Sequence, residues 1–109
     1  MNRDKNLPLT ETVYYILLAL TEPAHGYVIM QKIEELSEGQ VRLAAGTLYG
    51  AIENLLEKGF IDYIPSDDVR RKVYVISQAG KQILQSDYQR MKHILDATDM
   101  IFRNEEEAK

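Results

Sequence analysis

Apolar residues recur along this chain with two periods, and the switch between them outlines its elements. Over residues 9–20 the spacing is helical. Val13, Ile16, Leu17 and Leu20 make one apolar face, and Tyr14 and Leu18 make a second, rotated by roughly 100° per residue. A helix apolar on two sides buries both, either within its own domain or partly against a second chain. Thr21-Glu22-Pro23-Ala24-His25-Gly26 breaks the pattern, Pro and Gly being the breakers. A second helix is predicted over 27–36, with Ile29, Ile33 and Leu36 inward and Met30 flanking, and Ser37-Glu38-Gly39 as the turn after it.

The stretch from Gly46 to Gly59 reads as a short helix with two unlike sides. Leu48, Ile52, Leu55 and Leu56 form a core-facing stripe, while Thr47, Tyr49, Gly50, Glu53, Asn54 and Glu57 lie opposite. Gly inside a helix costs about 1 kcal/mol against Ala, so Gly50 beside an exposed Tyr49 suits close approach of another backbone. Gly59 stops the helix, with Lys58 in its last turn. The period then shortens to two. Residues 60–64 and 72–76 read as strands, joined by the turn Pro65-Ser66-Asp67-Asp68. Helix, Gly, strand, charged turn, strand is the order of a winged helix-turn-helix.

Ser77 is placed to cap a last helix over 78–103, about 39 Å long at 1.5 Å per residue. Leu84, Tyr88, Met91, Leu95, Thr98 and Phe102 are spaced alternately four and three, a heptad seam widened by Ile83, Ile94 and Ile101. Such a helix overshoots a small helical domain, so its far half needs another surface. The same helix of a second copy is the economical partner. The fold expected is mainly α with a small β-hairpin: a winged helix-turn-helix plus a long C-terminal dimerisation helix. The divisions are an arm over 1–8, the winged domain over 9–77, the dimerisation helix over 78–104 and an acidic tail over 105–109. Both ends are expected to fray.

Composition changes this picture little. The chain has 109 residues, enough for one modest core. It has no Cys, which excludes disulfides and Cys-type zinc sites and suits a reducing, cytoplasmic setting. Its most apolar run, residues 13–20, is far too short to span a bilayer. The net charge of -4 argues, taken whole, against nucleic acid. The distribution of charge argues the other way. Arg70-Arg71-Lys72 is the densest cationic cluster in the chain and sits at the base of the hairpin, where it suits phosphate contact. Arg42, just before the third helix, suits phosphate as well, together with the free N–H groups of the helix start.

No Ser/His/Asp set, phosphate-binding Gly loop or metal-ligand spacing occurs, so neither catalysis, a cofactor nor a metal is expected. His25 stands alone in a turn and is expected to hydrogen-bond at the start of the second helix. His93 is expected to be solvated.

Leu9-Thr10-Glu11, His25-Gly26-Tyr27, Gly46-Thr47-Leu48-Tyr49 and Leu55-Leu56-Glu57-Lys58-Gly59-Phe60-Ile61 resemble PadR-type transcriptional regulators, as do Arg70-Arg71-Lys72-Val73-Tyr74 and Ser77-Gln78-Ala79-Gly80. The order and spacing of these motifs are specific together, and they cover residues 9–102. The single C-terminal helix resembles the smaller PadR subfamily. The resemblance implies a homodimeric winged-helix repressor with the 46–58 helix in the major groove of an operator. It implies that the last helix dimerises, and that some members take aromatic effectors between subunits. Two departures stand out: Ala44 occupies the place of a hydroxyl-bearing helix cap, and without Trp there is no Trp-stacking pocket.

On this reading Gly46, Thr47, Tyr49, Gly50 and Asn54 contact duplex DNA. Asn54 suits an adenine edge, and Arg42, Arg70, Arg71 and Lys72 suit phosphate. Leu84, Tyr88, Met91, Leu95, Thr98 and Phe102 form the dimer seam. Tyr14 and Leu18, facing Tyr88, Met91 and Leu95, either close the dimer axis or leave a slot for a planar aromatic effector. The other class of function left open is a winged helix that binds protein rather than DNA, which the acidic balance allows.

Overall fold

A computed structural model describes residues 3–65, 67 and 71–108. The elements run in the order α1 (Glu11–Ala19), β1 (Ala24–His25), α2 (Gly26–Leu36), α3 (Ala45–Glu57), β2 (Ile61–Ile64), β3 (Val73–Ile76) and α4 (Gln78–Glu107). Thr10 starts α1, its Oγ1 accepting from the Val13 N–H at 3.1 Å. Ser77 starts α4 in the same way, accepting from the Gly80 N–H at 3.0 Å. Its own hydroxyl donates to the Gly59 carbonyl at 2.6 Å, tying the start of α4 to the end of α3. Gly59, at φ +76°, takes the left-handed conformation that ends α3, which only Gly adopts without cost.

Ile16, Leu17 and Leu20 of the first helical segment meet Ile29 and Ile33 of α2 and Leu48, Ile52 and Leu55 of α3 in one buried cluster. These are the residues that the helical spacing turns inward. Leu36 is not among them. It is the last residue of α2, at the edge of a shallow surface groove with Leu18 and Ala19 of α1, and is 53% exposed. Val41, in the connector, is buried in its place. The buried Ser37 side chain holds that connector, its Oγ accepting from the Val41 N–H at 2.9 Å.

The sheet has three antiparallel strands in the order β1-β3-β2, one more than the hairpin expected. β2 and β3 pair Ile61 with Ile76 and Ile64 with Val73. The extra strand pairs Ala24 with Tyr74 and His25 with Val73. His25 is therefore extended backbone at the foot of α2, and its side chain makes no capping hydrogen bond there, contrary to expectation. The Ile76 N–H donates to the Leu20 carbonyl at 2.7 Å and fastens the sheet to the end of α1.

α4 extends past the expected stop at residue 103 and includes Glu105, Glu106 and Glu107. Its first turn comes so close to the lead-in of β2 that a Cβ on Gly80 would run into the Phe60 carbonyl. A Gly is required there by packing. The helix leaves the domain and stretches the molecule to 63 × 34 × 21 Å. The radius of gyration is 16.9 Å, against about 13 Å for a compact domain of this size. No helix among the described residues is long and apolar enough to cross a membrane.

Candidate nucleic-acid interface

The face of α3 that turns away from the core is open. Gly46, Thr47, Gly50 and Asn54 are exposed. Among the described residues, nothing apart from the adjoining residues and the helix's own backbone lies within 4 Å of where a Cβ would stand on Gly46 or Gly50. Burial of Leu48, Ile52 and Leu55 leaves these residues outward by the helical period alone. The helix begins at Ala44, whose side chain offers no capping oxygen. The first N–H groups of α3 are therefore not satisfied by a cap of its own.

Tyr49 differs from its neighbours. It flanks the open face and is 46% exposed, but its phenol lies against Gly26 at the start of α2. A Cβ on the buried Gly26 would collide with the Tyr49 hydroxyl and ring. Tyr49 is thus a strut between α3 and the start of α2 as well as a surface residue. It also faces Tyr74, whose phenol is pushed above its ordinary range first by burial and then by Tyr49, Tyr63 and Glu53. Tyr63 and Tyr74 pack edge to face, with ring centroids 6.0 Å apart, across β2 and β3.

The hairpin brings Lys72 and Arg71 out at the foot of β3, both exposed. Arg70, Ser66 and Asp68, which belong to the same predicted wing, lie outside the described residues. Arg42 is exposed and paired with Glu34 of α2, Nε to Oε1 at 3.3 Å. Its charge is thus shared with a carboxylate, which the spacing could not foresee.

The second cluster of site residues lies between α1 and α4. Tyr14, Leu18, Lys81, Leu84 and Tyr88 line one shallow groove. Leu9, Tyr14, Tyr15, Leu18, Asp87 and Met91 line another, of about 390 Å³. Four of the five predicted effector residues therefore line these two grooves, Tyr14 and Leu18 in both, Tyr88 in the first and Met91 in the second, while Leu95 lies further along α4, 61% exposed and lining neither. Leu84 packs on the domain's own core. Of the predicted seam, Tyr88, Leu95 and Phe102 are exposed and Met91 and Thr98 half-buried.

Asp87 was not foreseen. It is 1% exposed and held by Arg90, Nε to Oδ1 at 2.5 Å. That hydrogen bond keeps the Arg90 guanidinium more basic than usual. The Tyr14 phenol is pushed up by burial and then by the charges of Asp87 and Tyr88. The signal was present in the sequence: Asp87 falls four residues after Ile83 and four before Met91, on the buried side of a helix. Among the described residues no group of acidic, His or Cys side chains is arranged to hold a metal.

Residues 15–86 match the transcriptional regulator PadR-like family. A transcriptional regulator from Clostridium thermocellum has the same fold, with a TM-score of 0.72 at 19% identity over 91% of this chain and 97% of that one. A PadR family transcriptional regulator from Eggerthella lenta has a TM-score of 0.68 at 22% identity, covering 84% of this chain and 80% of that one. Bacillus subtilis PadR, solved in complex with operator DNA, has a TM-score of 0.59 at 26% identity, over 72% of this chain and 46% of that one. Among curated proteins none matches the sequence.

Proposed function

We propose, from the premise that this chain belongs to the transcriptional regulator PadR-like family, that it represses transcription by binding a pseudo-palindromic operator as a homodimer. The observation that carries the reading is the open face of α3. Gly46 and Gly50 leave room for a phosphate backbone, Thr47 and Asn54 stand beside them, and the described residues do not cover them. Bacillus subtilis PadR, the DNA-bound relative, supports duplex DNA as the partner.

The roles follow from chemistry. The uncapped N–H groups at Gly46 and Thr47 suit a phosphate. Asn54 suits the N6 and N7 edge of adenine. Arg70, Arg71 and Lys72 suit the backbone flanking the groove. Tyr49, braced on Gly26, sets the angle of α3 to α2 and offers its remaining exposed edge to the backbone. Two copies joined along α4 through Tyr88, Met91, Leu95, Thr98 and Phe102 would present two α3 helices to half-sites about one turn of DNA apart. A planar aromatic molecule in the grooves of Tyr14, Leu18, Tyr88 and Met91 would release DNA only by its preference for the DNA-free spacing.

Anisotropy titration of duplexes from upstream of its own gene tests the reading. Tight binding to one duplex, weakened on all sequences alike when Arg70, Arg71 and Lys72 are changed to Ala, is expected. Asn54→Ala should instead relax discrimination at one base pair, by about 1–3 kcal/mol. A chain that binds no duplex would be a winged helix for another partner. Calorimetry with planar aromatics on Tyr88→Ala and Met91→Ala tests the effector site.

A further inference from the structure

The arm ahead of α1 is folded. The Leu7 N–H donates to the Asp4 carbonyl at 3.0 Å, and the Asp4 carboxylate accepts from the Asn6 N–H at 2.7 Å and its Nδ2 at 3.0 Å. Leu7 and Leu9 pack against the core. This turn lays the arm beside the C-terminal half of α3 and makes a groove whose polar lining includes Lys5, Asn6, Thr10, Asn54 and Lys58. Lys5 and Lys58 are the charged side chains in that lining, and no carboxylate joins them. Among the described residues neither ammonium is in an ion pair. In a chain of net charge -4, the charged side chains lining this groove are both cations, and the neighbouring Asp4 carboxylate is engaged by Asn6.

We infer that this groove carries the DNA backbone, with Lys5 of the arm and Lys58 of α3 each neutralising a phosphate at the rim of the major groove. The inference rests on the reading of α3 as the helix in that groove. At 3.6 residues per turn Thr47, Asn54 and Lys58 share one line along α3. The groove is thus continuous with the open face through Asn54. Distance decides what the lysines meet. Lys58 lies about 16 Å along the helix from Thr47 at 1.5 Å per residue, about three turns beyond the N-terminal residues that such a helix puts to the base edges. With Thr47 and Gly50 between the strands, Lys58 has passed the base edges and reached the sugar-phosphate chain. Lys5 faces the same strand from the arm. Lys58 as the C-cap also complements the helix dipole, a structural role that has no bearing on salt dependence.

The test is the salt dependence of binding to a mixed-sequence duplex, measured by anisotropy on the full chain. Lys5→Ala and Lys58→Ala should each lower the slope of log K against log salt by about 0.9, and the double variant by about 1.8. Lys92→Ala, an exposed cation on α4, should leave it unchanged. Thermal melts of Lys5→Ala and Lys92→Ala should match the wild type, since both lysines are exposed, and the variants lacking Lys58 should lose no more than its helix-dipole contribution. A double variant with the wild-type slope would overturn the inference while leaving α3 as the reading helix. A wild type that binds no duplex would overturn the DNA reading itself, and the inference with it.

Discussion

α4 is one continuous helix with two different histories of packing. Its first half is built into the domain. Gly80 lies against Phe60, Ile83 is buried at 5% exposure, and Asp87 is enclosed beside Tyr14. From Lys92 to Ala108 no residue is buried. Ile94, Leu95, Met100, Ile101 and Phe102 stand exposed on a helix whose backbone is as regular as before. The near half is stabilised by tertiary burial, worth about 1.5–3 kcal/mol for each large apolar side chain. The far half has only helix propensity, which sustains a helix of that length marginally in water. Large contiguous apolar patches on a protein surface mark interaction sites in general, and these five residues are the surface that pairing of two copies would cover. The difference teaches that one side of α4 is core at Gly80 and Asp87 and, one and two heptads after Asp87, an uncovered surface at Ile94 and Ile101.

The largest expected effect separates the halves directly. Ile83→Ala should cost about 2–5 kcal/mol of stability, measured by urea unfolding. Leu95→Ala in a monomer should cost within about 0.5 kcal/mol. A Leu95→Ala cost as large as that of Ile83→Ala, growing with protein concentration, would show that a second copy buries the far half. Leu95→Asp sharpens the point. If two copies pair along α4, a charge in that seam should raise the dissociation constant by more than about 100-fold, equivalent to about 3 kcal/mol. Sedimentation that finds the wild type monomeric at micromolar concentration would break the comparison by leaving the far half without a partner.

Smaller effects belong to the near half. Gly80→Ala should lose about 1–3 kcal/mol, because the obstacle is the Phe60 carbonyl and backbone cannot swing aside. Gly26→Ala should cost less, since the obstacle is the flexible Tyr49 ring. That cost should shrink when Tyr49→Leu is combined with it, a coupling that a double-mutant cycle reads.

The smallest effect is on pH. The phenols of Tyr14 and Tyr74 are both raised by burial. A folded-state pKa above the unfolded value of about 10 means stability is complete below that pH and is lost as pH rises through the folded value. Melts taken across that range should fall faster for the wild type than for Tyr14→Phe. Equal slopes would mean that the junction of α1 with Asp87 is indifferent to the phenolate.

Much of the molecule was legible in the chain. The positions of the helices, the hairpin, the cap at Ser77 and the stop at Gly59 each depend on residues close in sequence, so local chemistry sufficed. The open side of α3 followed from its period as well, because burying Leu48, Ile52 and Leu55 fixes where Gly50 and Asn54 point. What required the tertiary structure was every question of what stands opposite. Periodicity says which side of an element is apolar and nothing about whether a neighbour reaches it. Leu36 therefore reads as core and is exposed, while Val41, in a connector without period, is buried. β1 is too short to carry a pattern and exists because β3 offers it hydrogen bonds. The pairing of Arg42 with Glu34, the bracing of Tyr49 on Gly26 and the burial of Asp87 are meetings between distant segments or neighbouring turns. Chain geometry in three dimensions decides them, since contact energies of about 1 kcal/mol act only between groups that the fold has already brought together.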